Sequence, residues 1–238
     1  MGLNIANLQV ITSCLSRMRE DVSTPLKMLT LGYQDFVTTP DTLDQLFHAG
    51  FSQNLKERPE ALQTRWEQEG YRVFDINDFG QKVNVEIVAI DVVKLQGEEL
   101  VVDLNQPIDP MFHGAFDLVF DGGTIEHCFN IGQAISNAAS CVKQNGFIVH
   151  NNPLNKINHG FFNLCPTFYY DFYSQNGFQP LLIKACTKGR DEAQLIAIDA
   201  VSRVPVPQEE LSIVSVAQRQ EMRDFQWPIQ TKYKDMLA

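Results

Sequence analysis

Residues 116 to 127 read FDLVFDGGTIEH. Phe116, Leu118, Val119 and Phe120 make a short apolar run of β-favouring residues that breaks at Asp121-Gly122-Gly123 into a turn. A run this short and this apolar fits a strand buried on both faces of a parallel sheet. Beyond it, Ile131, Ala134, Ile135, Ala138, Cys141 and Val142 recur at helical spacing up to Asn145-Gly146, and GFIV (146 to 149) follows. Strand, amphipathic helix, C-terminal Gly and strand form one unit of a doubly wound sheet. Upstream, VEIVAI (85 to 90) and LVVDL (100 to 104) read as further buried parallel strands, and KMLTLG (27 to 32) as the first, ending in Gly. Two later β-like runs, 178 to 186 and 194 to 201, are expected to close the sheet as a hairpin. The expected fold is α/β, doubly wound, with a mostly parallel sheet of about seven strands.

The ends of the chain are less regular. Leu3, Leu8, Ile11, Leu15 and Met18 are spaced three to five apart, which predicts an amphipathic helix over 3 to 20 placed to lid a neighbouring site. Thr39-Pro40-Asp41 begins a helix, through a Thr or Asp cap and a Pro in the first turn. The charged stretch 56 to 69 reads as an exposed helix, part of a helical insertion over about 50 to 70. From Val204, with Pro205 and Pro207, the chain turns polar, so a domain over 1 to 203 with a tail or arm over 204 to 238 is expected.

Bulk properties narrow the partners. A chain of 238 residues accommodates one large α/β domain. The net charge of −10, with no basic cluster, works against nucleic acid as the main partner. Five scattered cysteines with no Cys-x-x-Cys pair read as reduced, buried thiols of a cytoplasmic protein. The apolar residues around Leu8 to Ile11 lack a basic flank and are interrupted by polar residues, so neither a signal peptide nor a membrane span is expected.

In a doubly wound sheet, ligands bind beyond the carboxyl ends of the strands. Four such ends line up: Gly32-Tyr33-Gln34, Asp91-Val92, Asp103-Leu104 and Asp121-Gly122-Gly123. Gly32 permits close backbone approach, and Asp91 is placed to accept from ribose hydroxyls. Asp103 can accept from an adenine amino group while the Leu104 N–H meets a ring nitrogen, with Asp121 to Gly123 as a floor beneath the reactive end. Each Asp has an alternative as a helix cap or turn residue.

This series resembles the class I S-adenosylmethionine-dependent methyltransferase core over about 27 to 200, most of the chain. FDLVFDGGTIEH, VKQNGFIVHNNP and the later NGF resemble its fourth strand, fifth strand and the helix before the sixth. DGGTIEHCFN with NHGFFNLCPTFYYDFYSQNGF is similar to a group of largely uncharacterised bacterial methyltransferase-domain proteins. The resemblance implies a Rossmann-like methyltransferase fold, S-adenosylmethionine as cofactor, and Gly32, Tyr33, Gln34, Asp91, Val92, Asp103, Leu104, Asp121, Gly122 and Gly123 as its binding residues. Two departures stand out. The family's G-x-G-x-G loop is reduced here to Gly32-Tyr33-Gln34, so Gln34 would offer a side-chain amide to the methionyl end, or the chain is a relative without turnover. Metal-using members carry Glu-x-x-Glu-His, whereas Gly123 takes the first Glu position here. The remaining Glu126-His127 pair supplies too few ligands for a cation, so no metal is expected.

A neutral hydroxyl acceptor needs a general base, and His is poised for that near neutral pH. His159, in the Asn158-His159-Gly160 loop, is the first candidate and His127 the second, each with a structural alternative. His150 and Asn152, at the end of the fifth strand, would face the acceptor. Tyr169 and Tyr170, in an aromatic run with Phe161, Phe162, Phe168, Phe172 and Tyr173, would wall its pocket or pack a helix on the sheet. Methyl transfer to a hydroxyl of a small molecule or a glycan-linked metabolite is the leading expectation. An amine or peptide acceptor, which needs no base, is the alternative.

Overall fold

Apolar residues at consecutive strand positions need cover on both faces of a sheet, and the computed structural model supplies it. The described residues are 3–19, 24–59, 66–94, 99–205, 207–234 and 236. In chain order the helices and strands are α1 (Ile5–Met18), β1 (Leu26–Leu31), β2 (Phe36–Thr38), α2 (Pro40–Leu46), β3 (Arg72–Phe74), α3 (Ile76–Lys82), β4 (Val85–Asp91), β5 (Leu100–Val101) and β6 (Phe116–Asp121). They continue with α4 (Ile131–Ser140), β7 (Val142–Pro153), α5 (Pro166–Gln175), β8 (Phe178–Cys186), β9 (Leu195–Ala197), β10 (Ser212–Arg219) and α6 (Thr231–Lys234).

The central sheet has eight strands in the order β5-β4-β1-β6-β7-β10-β8-β9, with β2 and β3 paired separately. The strands from β5 to β7 run parallel to their neighbours, and β10 and β9 are antiparallel to theirs. Period-two alternation divides the side chains between two cores. Leu118 and Phe120 of β6 join Met28, Phe147, Val149 and the apolar face of α1 on one side. Val119 joins Leu29, Leu31, Ile148 and the faces of α4 and α5 on the other. The α/β doubly wound expectation holds, with eight strands in place of seven.

The stretch from Val204, expected as a tail, is corrected by this topology. Its residues Ser212–Arg219 lie inside the sheet as β10, between β7 and β8. Ile213, Val214, Val216 and Ala217 are buried, two toward each core. Arg219, at the end of β10, is buried and donates to the carbonyls of Ala139, Ser140 and Val142, where a cation complements the C-terminus of α4. The sequence disguised this strand because Pro205 and Pro207 precede it and Ser215 and Gln218 break its apolar run. The runs at 178 to 186 and 194 to 201 do form a hairpin, β8 with β9, at the sheet's edge.

Of the exposed helix expected over 56 to 69, residues 60–65 lie outside the described residues. Its described start is extended, since Glu57 bridges Phe74 and the Arg58 guanidinium contacts both Asp35 and Asp75.

Candidate functional site

The parallel order brings the carboxyl ends of β4, β1, β6 and β7 side by side. Beyond them lie two cavities, of about 270 Å³ and 440 Å³. Asp91, Val92, Asp103, Leu104, Gly123 and His127 line the smaller. Gln34, Gly122, Glu126, Asn152 and His159 line the larger, together with Asn4 and Asn7 at the start of α1. α1 therefore borders the larger cavity, as a lid would.

Backbone chemistry shapes the smaller cavity. Gly32 continues the ladder, its N–H reaching Ile90 O at 2.7 Å, and then turns with φ +77. A Cβ there would come within 3.1 Å of Gln34 Nε2, 3.2 Å of Thr124 Oγ1 and 3.6 Å of Asp91 Oδ2, so glycine lets these three groups converge. Asp91 Oδ1 accepts from Val93 N–H, which orients the carboxylate at the strand end. The exposed Asp103 accepts from the backbone and side chain of Asn105, and these bonds lower its pKa. The loop after Leu104 is clamped from below by the buried Asn137, which donates to the carbonyls of Leu104 and Gln106 and accepts from Ile108 N–H.

Gln34 lines the larger cavity. Its buried amide donates from Nε2 to Leu31 O at 3.0 Å, and its Oε1 accepts no hydrogen bond. That Oε1 would lie 2.8 Å from a Cβ on Gly122. Gly32 and Gly122 thus make room for a polar side chain where a further loop glycine was expected. A buried acceptor without a donor is costly unless a ligand supplies one.

Beneath the larger cavity lies a closed polar network. Asp121 is fully buried and accepts at both oxygens: Thr124 and Ile125 N–H at 2.9 Å and 3.4 Å on Oδ1, His150 Nδ1 and Asn152 Nδ2 at 2.8 Å and 2.9 Å on Oδ2. With Nδ1 donating, His150 Nε2 is left to accept from the Tyr173 hydroxyl at 2.5 Å. Asn152 accepts from the Tyr169 hydroxyl at 2.5 Å and also donates to Glu126 Oε2 at 2.9 Å. Asp121 and His150, expected to face ligand, are instead buried supports, as is Tyr169. Tyr170 lines neither cavity, and the aromatic run is chiefly a helix packed on the sheet, with Tyr169, Phe172 and Tyr173 in the core. Tyr33 also points elsewhere, carrying the Arg58 guanidinium 4.5 Å from its ring centroid and accepting from Asn77 Nδ2.

Glu126 is the residue whose weight the sequence understated. It is fully buried, and burial together with the neighbouring Asp121 pushes its carboxyl up to about 7. His159, distant in sequence, brings Nε2 to 3.4 Å from Glu126 Oε1, and His127 brings Nε2 to 3.8 Å. Partial burial and the nearby Lys156 and His127 lower the His159 pKa, which favours the neutral imidazole. The chain therefore gathers three candidate ligands where Glu126-His127 alone was expected to supply too few.

No protein-family model and no curated protein matches the sequence. Solved structures do match. The CurJ carbon methyltransferase aligns with a TM-score of 0.50 at 12% identity, over 92% of this chain and 54% of that one. The DszA carbon methyltransferase gives 0.47 at 13%, over 92% and 53%. The N-methyltransferase NodS from Bradyrhizobium japonicum WM9 gives 0.47 at 11%, over 90% and 94%. The chain spans about half the length of the two carbon methyltransferases. Among the described residues no helix is long and apolar enough to cross a membrane. At 12% identity, the likeness to CurJ shows that this chain shares the Rossmann-like methyltransferase fold.

Proposed function

We propose that this protein is an S-adenosylmethionine-dependent methyltransferase acting on a hydroxyl of a small molecule or glycan-linked metabolite. The observation that carries the proposal is Gln34, which lines the larger cavity and whose buried Oε1 accepts no hydrogen bond. The methionyl α-amino group is a donor suited to that acceptor. On the same assignment Asp91 holds the ribose hydroxyls, and Asp103 and the Leu104 N–H hold the adenine in the 270 Å³ cavity. Gly123, with φ +95, would let the backbone come close to the cofactor.

When bound, the cofactor supplies an electrophilic sulfonium methyl. The chain's part is to hold an acceptor oxygen in line with it and to exclude water. The 440 Å³ cavity would take the acceptor, with Asn7 as a polar contact, while Asn152, whose amide is held by Asp121, Glu126 and Tyr169, would support its wall. For the acceptor oxygen to be methylated, its hydroxyl proton must leave. In the metal-free chain it goes to His159, with Glu126 at 3.4 Å from Nε2 to hold the resulting imidazolium. His127, which lines the smaller cavity, stands second as base.

Isothermal titration calorimetry with S-adenosylmethionine and S-adenosylhomocysteine tests the cofactor assignment. Saturable one-to-one binding of both is expected. Absence of heat with either at millimolar concentration overturns it.

A further inference from the structure

Glu126, His127 and His159 come from two segments, a short 3₁₀ turn after β6 and the loop after β7, and they meet at one point. We infer that they form a binding site for one divalent transition-metal ion of the zinc or cobalt type. This goes beyond the cofactor assignment and does not depend on it.

The first support is a buried carboxyl oxygen that accepts no hydrogen bond. Glu126 has no exposed surface; Oε2 accepts from Asn152, while Oε1 accepts no hydrogen bond. Leaving such an oxygen uncompensated costs free energy, and a cation is the strongest compensation available. The second support is geometry. Bonds of roughly 2.0–2.2 Å around a tetrahedral ion place neighbouring ligand atoms about 3.3–3.6 Å apart. The two imidazole Nε2 atoms stand 3.4 Å and 3.8 Å from Glu126 Oε1, and all three ligand atoms lie within 4.8 Å of one another. Both imidazoles are partly exposed, with side-chain accessibilities of 49% and 25%, so they have room to turn and close the remaining distance, at most about 1.2 Å between ligand atoms, onto an ion.

The third support is that the backbone is built to hold the two segments together. Glu126 O accepts from the N–H groups of Phe161 and Phe162, so the loop bearing His159 hangs on the residue that its imidazole faces. Gly160 makes this approach possible, because a Cβ there would sit 2.8 Å from that same carbonyl.

Two imidazoles and one carboxylate suit zinc, cobalt and similar ions and not magnesium or calcium, which prefer all-oxygen sets. Three protein ligands leave a position open. Glu126 and His159 line the larger cavity and His127 the smaller, so that position belongs to the boundary where donor and acceptor would meet. An acceptor hydroxyl bound there would ionise more readily and release its proton to solvent past the partly exposed histidines, which would replace proton removal by His159 in the loaded protein.

The test uses the full chain, stripped with chelator and titrated with Co²⁺ by visible absorbance and with Zn²⁺ by calorimetry, without any nucleoside ligand. One equivalent of each ion is expected, with the visible bands of a low-symmetry Co²⁺ site. His127→Ala and His159→Ala should each weaken binding at least tenfold while melting like the parent chain. Glu126→Gln, which keeps shape and loses charge, should do the same. No binding tighter than 100 µM, or one-equivalent binding unchanged in both histidine variants, overturns the site. Cofactor calorimetry on the stripped protein is scored separately, so failure of one assignment leaves the other standing.

Discussion

Asp121→Asn separates a buried support from a ligand contact. Both carboxylate oxygens accept from donors, two backbone N–H groups on one and His150 Nδ1 with Asn152 Nδ2 on the other. An asparagine must turn its NH₂ toward one of these pairs. Turned toward the side chains, it can be met by His150 through a change of tautomer, but not by Asn152, whose Oδ1 already accepts from Tyr169. At least one buried donor is stranded, at about 1–3 kcal/mol, and the charge-assisted character of the other bonds is lost, for about 2–4 kcal/mol in all. For a chain of this size that corresponds to a fall in Tm of roughly 4–8 °C. Urea denaturation followed by circular dichroism, with a calorimetric scan beside it, measures the effect. A loss below 1 kcal/mol would refute the assignment of Asp121 as the centre of a closed network.

Asp91→Ala should weaken S-adenosylhomocysteine binding 10- to 100-fold, the equivalent of about 1.4–3 kcal/mol in hydrogen bonds to a charged acceptor, with an unchanged melting temperature. Truncation after Arg203 removes β10 and exposes edges of both β7 and β8, so the shortened chain should show no cooperative unfolding transition; a sharp transition at the parent temperature would contradict the strand order. A thiol reagent at pH 8 should modify Cys165 rapidly and the other four cysteines only in denaturant. Cys165 is exposed, whereas Cys14, Cys128, Cys141 and Cys186 are buried, and burial pushes the first three of these thiols up to about 12. Fast reaction of more than one equivalent would show that the cores are less closed than described.

Phe116 to Phe120 and the helix after them were legible because burial on both faces leaves a continuous apolar run, a purely local signal. β10 was not, because its place between β7 and β8 depends on pairing with strands far away in sequence, and its own apolar residues are interrupted. The strand-end acids split in the same way. Asp91 and Asp103 do line a cavity. Asp121, with the same local signature, is turned inward by donors from β7, which no spacing within DGGT reveals. His159 was visible as a loop histidine, but its meeting with Glu126 comes from a backbone contact across the β6 and β7 loops. Gln34 was legible as a departure from the family's glycine loop. Its unpaired oxygen required the neighbouring Gly122 to be placed.

A crystal structure of the complex with S-adenosylhomocysteine decides whether the ends of β1, β4, β5 and β6 hold S-adenosylmethionine. The expected arrangement has ribose hydroxyls on Asp91, adenine between Asp103 and Leu104, the methionyl amino group on Gln34 Oε1, and the sulfur over Gly122-Gly123, facing the cavity of His159. A ligand seated elsewhere, or a ribose bound without Asp91, would contradict it.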